Sequence, residues 1–214
     1  MIPLLREAYV YANSHRTELV SALSQHLLLV GVALGIGILL CVPLGIWTSR
    51  SRLVSLIGIN LSNGLRVIPS LAVLFLAIPF FGLSFISAVI ALTLLALPPI
   101  LINTDAAYRT IDSAIREAAR GMGMTPGQIL WRVETPLALP VMVTGIRTAA
   151  TEVIASATLA AFIGAGGLGL FVVRGFSLYN IPILLVGALP VALLTLIVEI
   201  SLSGVQRALQ PPTA

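Results

Sequence analysis

The chain consists mainly of long apolar runs separated by short polar breaks. A helix that crosses a bilayer needs about 20 mostly apolar residues to pass roughly 30 Å of hydrocarbon. The pattern therefore predicts an all-α, polytopic transmembrane helix bundle of about five spans, at residues 26–48, 67–82, 85–102, 136–162 and 181–202. The stretch just before the second span is interrupted by polar residues and predicts a separate helix near the membrane surface.

Composition supports a lipid-facing exterior. Of the 214 residues, 58% are hydrophobic and only 9% are charged, whereas a soluble domain of this length needs more charge to cover its surface. The net charge of +4 comes from scattered arginines, which are not interleaved with aromatic residues as in a nucleic-acid-binding surface. Cys41 stands alone in an apolar run, so we expect a small buried residue and neither a disulfide nor a metal site.

The arginines predict the orientation in the membrane. The only extended polar stretch, 103–135, carries four of them, and cytoplasmic loops are enriched in basic residues. With this stretch inside, nine of the twelve arginines lie at the cytoplasmic side and three lie outside, namely Arg6, Arg16 and Arg174. We therefore expect an N-out, C-in chain in a bacterial inner membrane. An even number of spans stays open if the N-terminal segment inserts.

The chain divides into three parts by composition. Charges interrupt residues 1–18, which predicts an interfacial segment and not a signal peptide. We expect Leu4, Leu5, Ala8 and Tyr9 on one side of this segment. Residues 19–206 form the predicted membrane domain, and 207–214 form a C-terminal tail.

Residues 103–135 contain the start and stop signals of two short helices. Asp112 is a candidate N-cap, and Gly121 and Gly123 would end the helix that follows. Thr125 and Gln128 have the spacing of a capping box for a second helix. The pattern predicts a helix–turn–helix between two spans, and it leaves open whether this loop folds for its own sake or docks on a partner.

The same loop resembles the EAA loop of ABC importer permeases. That loop has Glu-Ala-Ala, then a glycine, an aliphatic residue and Leu-Pro at fixed spacing, and the matching positions here are Glu117, Ala118, Ala119, Gly123, Val133 and Pro136. Thr135 replaces the usual leucine. The resemblance implies a type I ABC importer permease fold, in which the loop forms a coupling helix that sits in a cleft of an ATP-binding subunit.

Several further segments resemble permeases for quaternary-ammonium osmoprotectants such as glycine betaine, choline or carnitine. They are 25–27, 68–71 and 145–169. Methionine-type permeases share the loop and the Ala-Gly-Gly-Leu-Gly run, so a methionine or other amino-acid importer stays the alternative. The resemblance implies two ATP-binding subunits, a second permease that is identical or related, and an extracytoplasmic substrate-binding protein. ATP and Mg would be bound by the partner ATPase, and this chain would carry no cofactor and no catalytic residue.

A glycine-rich run follows the fourth span, with Gly164, Gly166, Gly167 and Gly169. The run has the glycine spacing of the dinucleotide-binding fingerprint but not its context, because no strand precedes it and no acidic residue follows about 20 positions later. The chain contains no lysine and therefore no P-loop. We interpret the run as a closely packed break that acts as an outer gate or hinge.

Two ionisable residues lie within the fourth span. Intramembrane charges are costly and indicate functional sites, so Glu152, Arg147 and Ser156 are candidate pathway residues. Glu152 either contacts a cationic substrate or is a structural carboxylate bonded to Ser156 or to a neighbouring helix. Arg147 is expected to extend toward the inner face.

Two other classes of protein remain open on the residues alone. A proton-driven secondary transporter would use Glu152 and Glu199, and it predicts inverted repeats in one chain, which are not visible here. A non-transporting scaffold would use the loop only as an interaction site.

Overall fold

The computed structural model describes residues 2–210; Met1 and residues 211–214, which include the end of the predicted tail, lie outside the described part. Within it the chain forms ten α-helices and no strand: α1 (Ile2–Ser14), α2 (Arg16–Thr48), α3 (Arg52–Val67), α4 (Ser70–Phe81), α5 (Phe85–Arg109), α6 (Ser113–Gly121), α7 (Pro126–Ile129), α8 (Thr135–Ala157), α9 (Gly169–Ser177) and α10 (Ile181–Leu209). A π-helical turn, Leu130–Glu134, joins α7 to α8, and a 3-10 turn, Leu159–Ile163, follows α8. The all-α prediction is confirmed.

Four helical segments are long and apolar enough to cross a membrane, and a bent pair brings the number to five. The four are α2, α5, the continuous segment from α7 through α8, and α10. The pair is α3 and α4, whose axes differ by 92°. The expectation of about five spans is therefore confirmed.

The second span is built differently from the prediction. We expected residues 67–82 to cross alone, but α4 has 12 residues and is only about 18 Å long at 1.5 Å per residue. Pro69 explains the break, since the residue before a proline is driven out of the helical region. Ile68 is accordingly extended, at φ −75° and ψ 122°. Only α3 and α4 together have the length of a span.

Other helices continue beyond the apolar stretches that predicted them. The structure begins α2 at Arg16, ten residues before the predicted span, and extends α5 to Arg109 and α10 to Leu209. The predicted boundaries after residues 18 and 206 thus fall inside helices. Hydropathy detects the apolar part of a helix, whereas backbone hydrogen bonding continues the helix into the neighbouring polar residues.

The N-terminal segment is a helix, as expected, and it packs on α10. The residues predicted to share an apolar side differ in burial. Ala8 is buried, whereas Leu5 and Tyr9 are exposed.

Helix α5 is the centre of the bundle. It packs against α2, α3, α4 and α8, and 56% of its apolar window is buried, compared with 22% for α10. Fully buried alanines on α5, such as Ala88, Ala91 and Ala96, let neighbouring helices approach closely. Large exposed side chains such as Leu39 and Leu196 lie on the outer helices, as expected for contact with lipid. Cys41 is buried, as predicted.

Glycines mark the closest contacts with α5. A Cβ atom at Gly45 would lie 2.6 Å from the Cβ atom of Thr104, and one at Gly145 would lie 2.6 Å from the carbonyl oxygen of Pro99. Real Cβ atoms do not approach other atoms this closely. Both α2 and α8 therefore depend on glycine to reach the central helix.

We predict that Gly45→Ala destabilises the bundle, because the methyl group must push α2 away from α5. The expected loss in the free energy of unfolding is about 1–3 kcal/mol, as for other overpacked interiors, and thermal unfolding of the purified protein in detergent measures it. Gly35→Ala is the matched control on the same helix, since its Cβ would meet nothing within 4 Å. Equal stability of the two variants would show that the α2–α5 contact is loose.

Candidate functional site

The polar loop folds as the predicted helix–turn–helix. Asp112 caps α6, with its Oδ1 accepting from the backbone N–H of Ala114 at 2.9 Å. Thr125 and Gln128 form the predicted capping box of α7, with oxygen–nitrogen distances of 3.4 and 2.9 Å. The second helix is a single turn that continues through the π-helical turn into α8. The loop is therefore mechanically continuous with the fourth span.

The turn between the two helices needs a glycine. Gly123 has φ +80°, a conformation that costs an L-residue with a side chain roughly 1–2 kcal/mol. Its N–H bonds the carbonyl of Arg120 at 2.9 Å, and that of Met124 bonds the carbonyl of Ala119 at 3.2 Å. These two bonds form a Schellman motif, which closes the end of α6.

The residues of the EAA-like motif divide into a surface group and a supporting group. Glu117, Ala118 and Gly123 are exposed on α6 and its turn, and Pro136 is exposed at the start of α8. Val133 is half-buried, and Ala119 is only 1% exposed. The surface group lies beside the exposed side chains of Ile115 and Met122. Small side chains and exposed apolar groups together make a surface that another protein can approach closely.

A buried carboxylate fixes this loop to the membrane bundle. Glu134 is 1% exposed and accepts two hydrogen bonds from Arg50, at 2.6 and 3.0 Å, and one from Nε of Arg116, at 2.6 Å. Arg116 also donates to the carbonyl oxygens of Tyr108 and Ile111. The hydrogen bonds to Glu134 raise the pKa of Arg50. This cluster, the Glu134 cluster, joins α6, the turn after α2 and the start of α8.

A second buried carboxylate lies at the same end of the bundle. Asp105 is 1% exposed; its oxygens accept from Thr48 and Ser55, both at 2.8 Å, and from Nε of Arg109 at 3.2 Å. It joins α2, α3 and α5. Sequence reasoning missed both carboxylates as structural centres. The only local signal was the spacing of four residues between Asp105 and Arg109, which is that of a helical ion pair.

Among the candidate pathway residues, Glu152 and Ser156 line one cavity. Glu152 pairs with Arg66 of α3, with 3.0 Å between Oε1 and Nη2. Their side chains are 41% and 43% exposed. The cavity has a volume of about 390 Å³ and lies between the α3–α4 bend, α5 and α8. The carboxylate of Glu152 is therefore bonded to a neighbouring helix and not to Ser156. These were the two structural partners that the sequence left open.

Arg147 lies elsewhere. Its guanidinium donates to the hydroxyl of Ser203 at 2.7 Å and pairs with Glu199 at 3.5 Å. Both partners belong to the C-terminal half of α10. This half runs toward the end of the bundle that holds the Glu134 cluster. The structure therefore separates Arg147 from Glu152 and Ser156, and it gives Glu199 an ionic partner that the sequence did not predict.

The glycine run forms a tightly packed loop after the 3-10 turn. Gly164, Gly166 and Gly167 have φ angles of 74°, 79° and 82°, and Gly169 begins α9. The N–H of Gly167 donates to the side-chain oxygen of Gln25 at 3.3 Å. A Cβ atom at Gly166 would overlap that oxygen, and one at Gly169 would overlap a backbone carbonyl of the preceding turn. The loop is close-packed against α2, and its role as a gate or hinge stays a prediction.

The helix bundle, the capped loop and the intramembrane charges define a class, that of polytopic membrane transport subunits. The chain belongs to the family of binding-protein-dependent transport system inner membrane components, whose model matches residues 41–213. It is an ABC importer permease, which confirms the resemblance found in the loop.

Two relatives match nearly the whole chain. The carnitine transport permease protein OpuCB of Listeria monocytogenes is 44% identical over 187 residues, which are 87% of this chain and 86% of that protein. The choline transport system permease protein OpuBB of Bacillus subtilis is 37% identical over 201 residues, 94% and 93% of the two chains. A permease chain in inward-facing structures of the MetNI methionine ABC transporter superposes with a TM-score of 0.81. At 24% identity over 92% of this chain and 99% of that one, it shows a shared fold.

We predict that Glu134→Gln destabilises the protein, because it leaves Arg50 and Arg116 without a counter-charge. The expected cost is about 3 kcal/mol, near the lower end for breaking a buried pair, since Arg50 stays partly exposed. Thermal unfolding in detergent measures the change.

Glu117→Gln is the matched control for this substitution. It removes a carboxylate from the same loop, but from an exposed position, and it should leave the unfolding temperature unchanged. A Glu134→Gln variant as stable as Glu117→Gln would show that the Glu134 cluster does not hold the loop.

Proposed function

We propose that this chain forms half of the translocation pathway of an importer for a quaternary-ammonium osmoprotectant such as glycine betaine, choline or carnitine. The observation that carries the substrate class is the near full-length similarity to a carnitine permease and a choline permease, at 44% and 37% identity. The likeness to the methionine transporter concerns the fold alone and supports no particular substrate. The chain performs no bond chemistry in this proposal, and the partner ATPase binds ATP and Mg.

The exposed surface of α6 is the proposed docking site for the ATP-binding subunit. Ala118 and Gly123 present little side-chain volume, so a partner backbone can come close, and Glu117 offers an ionic or hydrogen-bonding group beside them. The Glu134 cluster lies directly behind this surface. A push on α6 therefore acts on α2 and α8 together.

The remaining partners follow from the family. A second permease, identical or related, completes the pathway, two ATPases bind the two loops from the cytoplasm, and an extracytoplasmic binding protein delivers the solute. Closure of the ATPases moves the loops, and the bundle rocks as a rigid body between inward-facing and outward-facing states.

The proposed orientation is N-out and C-in. Arg50 and Arg116 meet at the loop end of the bundle, and a cytoplasmic location of that end satisfies the preference of basic residues for the inside. Arg174 lies at the opposite end, where it pairs with Glu18 at 2.5 Å and donates to the hydroxyl of Tyr11 at 3.3 Å. An arginine neutralised in this way adds little to the outer positive charge.

We predict that Glu117→Arg abolishes uptake while the protein still inserts into the membrane, because a reversed charge disrupts the joint with the ATPase. Uptake of radiolabelled glycine betaine and choline is measured in cells with and without the partner ATPase and binding protein. Glu7→Arg makes the same charge reversal at an exposed site on α1 and should transport normally.

Each outcome of this assay has a distinct meaning. Normal uptake by Glu117→Arg would rule out the docking role of α6. Absence of uptake of either solute by the unmodified importer, with ATPase association intact, would overturn the osmoprotectant proposal and favour methionine or another small solute.

We predict that a cysteine introduced by Gln128→Cys reacts with impermeant maleimide only from the cytoplasmic side. Position 128 is exposed, and the native Cys41 is only 2% exposed, so it contributes little background. Tyr179→Cys, at a site that is 95% exposed in the turn before α10, should react only from outside. The reverse labelling of the two sites would invert the orientation.

A further inference from the structure

Six ion pairs occur within residues 2–210, and in two of them, Arg66–Glu152 and Arg147–Glu199, the carboxylate accepts at most one hydrogen bond. Only the first of these two pairs lies beside the bend between α3 and α4. One hydrogen bond of 3.0 Å joins its two side chains. By contrast, the carboxylate of Glu134 is 2% exposed and accepts three hydrogen bonds. Glu152 and Arg66 therefore keep an oxygen and several N–H groups free of partners within the described chain.

Both residues of this pair belong to candidate spans. Glu152 is 17 residues beyond Thr135 in α8, which corresponds to about 26 Å along the helix axis. Arg66 is in the last turn of α3, immediately before the 92° bend to α4. Broken helices at membrane depth occur where the backbone lines a cavity, and ionisable residues there mark substrate pathways.

Two adjacent cavities lie beside the pair, one with polar groups in its lining and one lined by apolar side chains. The first cavity, of about 390 Å³, is lined by Arg66, Glu152, Ser70 and Ser156 together with prolines of the bend and of α5. A neighbouring apolar cavity of about 230 Å³ lies along α4 and α5 beside Phe80, and the two cavities share the lining residues Leu65, Ile68, Leu94 and Leu95. A cation and an anion about 3 Å apart thus stand at the edge of an apolar space.

Quaternary-ammonium solutes differ in the groups that they offer to such a pair. A trimethylammonium group has no N–H, so it is held by opposite charge, aromatic faces and apolar contact with its methyl groups. A carboxylate matches the fork of an arginine and forms two parallel hydrogen bonds with it. Glycine betaine and carnitine carry both groups, whereas choline carries only the cation.

We propose that Arg66 and Glu152 form a solute-binding site in the pathway, at which a zwitterion separates the ion pair and binds both charges. The carboxylate of the solute accepts hydrogen bonds from the guanidinium of Arg66. The ammonium group of the solute lies against Glu152, with its methyl groups in the apolar space. Choline engages Glu152 alone. This inference rests on the proposed function, and it assigns discrimination between zwitterionic and purely cationic solutes to Arg66.

The test uses the complete importer in proteoliposomes, reconstituted with its ATPase and its partner permease. The binding protein is added at a saturating concentration. Arg66→Gln should lower the uptake of glycine betaine by about tenfold or more, the effect of losing a charge-assisted hydrogen bond. Its uptake of choline should stay within about twofold, which also shows that the variant is folded. Arg66→Lys keeps the charge and should recover part of the glycine betaine uptake.

Glu152→Gln should lower the uptake of both solutes, since both place a cation there. Glu199→Gln is the matched control, because it neutralises the carboxylate of the ion pair between α8 and α10. It should change neither uptake by more than about twofold, since it removes no contact with the solute.

Two results would overturn the inference. Equal losses of glycine betaine and choline uptake in Arg66→Gln would make the pair a structural contact, and unchanged uptake in both Arg66→Gln and Glu152→Gln would remove it from the pathway. Failure of the unmodified importer to transport either solute is a separate result, visible before any substitution, and it overturns the proposed function together with the inference.

Discussion

The rest of the structure depends on the compensation of one buried charge. Glu134 stands where the loop becomes a membrane helix, and its carboxylate is almost entirely removed from water. A carboxylate in that position is tolerated only with counter-charges and hydrogen bonds in good geometry. Arg50 and Arg116 supply them from two other segments. The position of the loop relative to the bundle is thereby determined by electrostatics, because any other position would leave a charge unpaired.

This constraint would allow α6, the proposed docking helix of nine residues, to act on a bundle several times its size. Arg116 belongs to α6 and Arg50 to the turn after α2, so Glu134 ties both to α8. Asp105 makes a parallel connection between α2, α3 and α5. The loop end of the protein is thus a polar, cross-linked unit, while the helices beyond it pack through alanines and glycines. Such a unit transmits displacement as a whole, which is the property that a rigid-body transport mechanism needs.

Features that depend on neighbouring residues were predictable from the sequence. The caps at Asp112 and Thr125 and the turn at Gly123 use partners within a few positions, and hydropathy located the apolar spans. Contacts between distant segments were not predictable. Glu134 and Arg50 are separated by 84 residues, and no periodicity or spacing connects them. For Glu152 the sequence offered Ser156 of the same helix or an unnamed residue of a neighbouring helix. Only the fold shows that the partner is Arg66.

Helix lengths show the same division. The apolar pattern located α2, α5 and α10 but ended them where the apolar residues end, whereas each helix continues into the polar residues beside them. The second span could not be resolved by hydropathy, since a continuous apolar stretch conceals the bend that Pro69 imposes. That bend brings Arg66 to the cavity. The feature that the pattern resolved least well is therefore the one that assembles the candidate pathway site.

The charges within the bundle differ in how completely they are satisfied, and the proposed solute site uses one of the two pairs that are satisfied least. A buried ion that is fully bonded, as Glu134 is, gains nothing from a solute and would lose several bonds on any exchange. An ion pair held by one hydrogen bond beside an open cavity, as Arg66 and Glu152 are, can exchange its partner for a ligand at little cost. A membrane protein that imports a charged solute needs both kinds. The satisfied ions keep the moving parts together, and the incompletely satisfied pair provides a charge environment that a zwitterion can enter without leaving either protein charge unpaired.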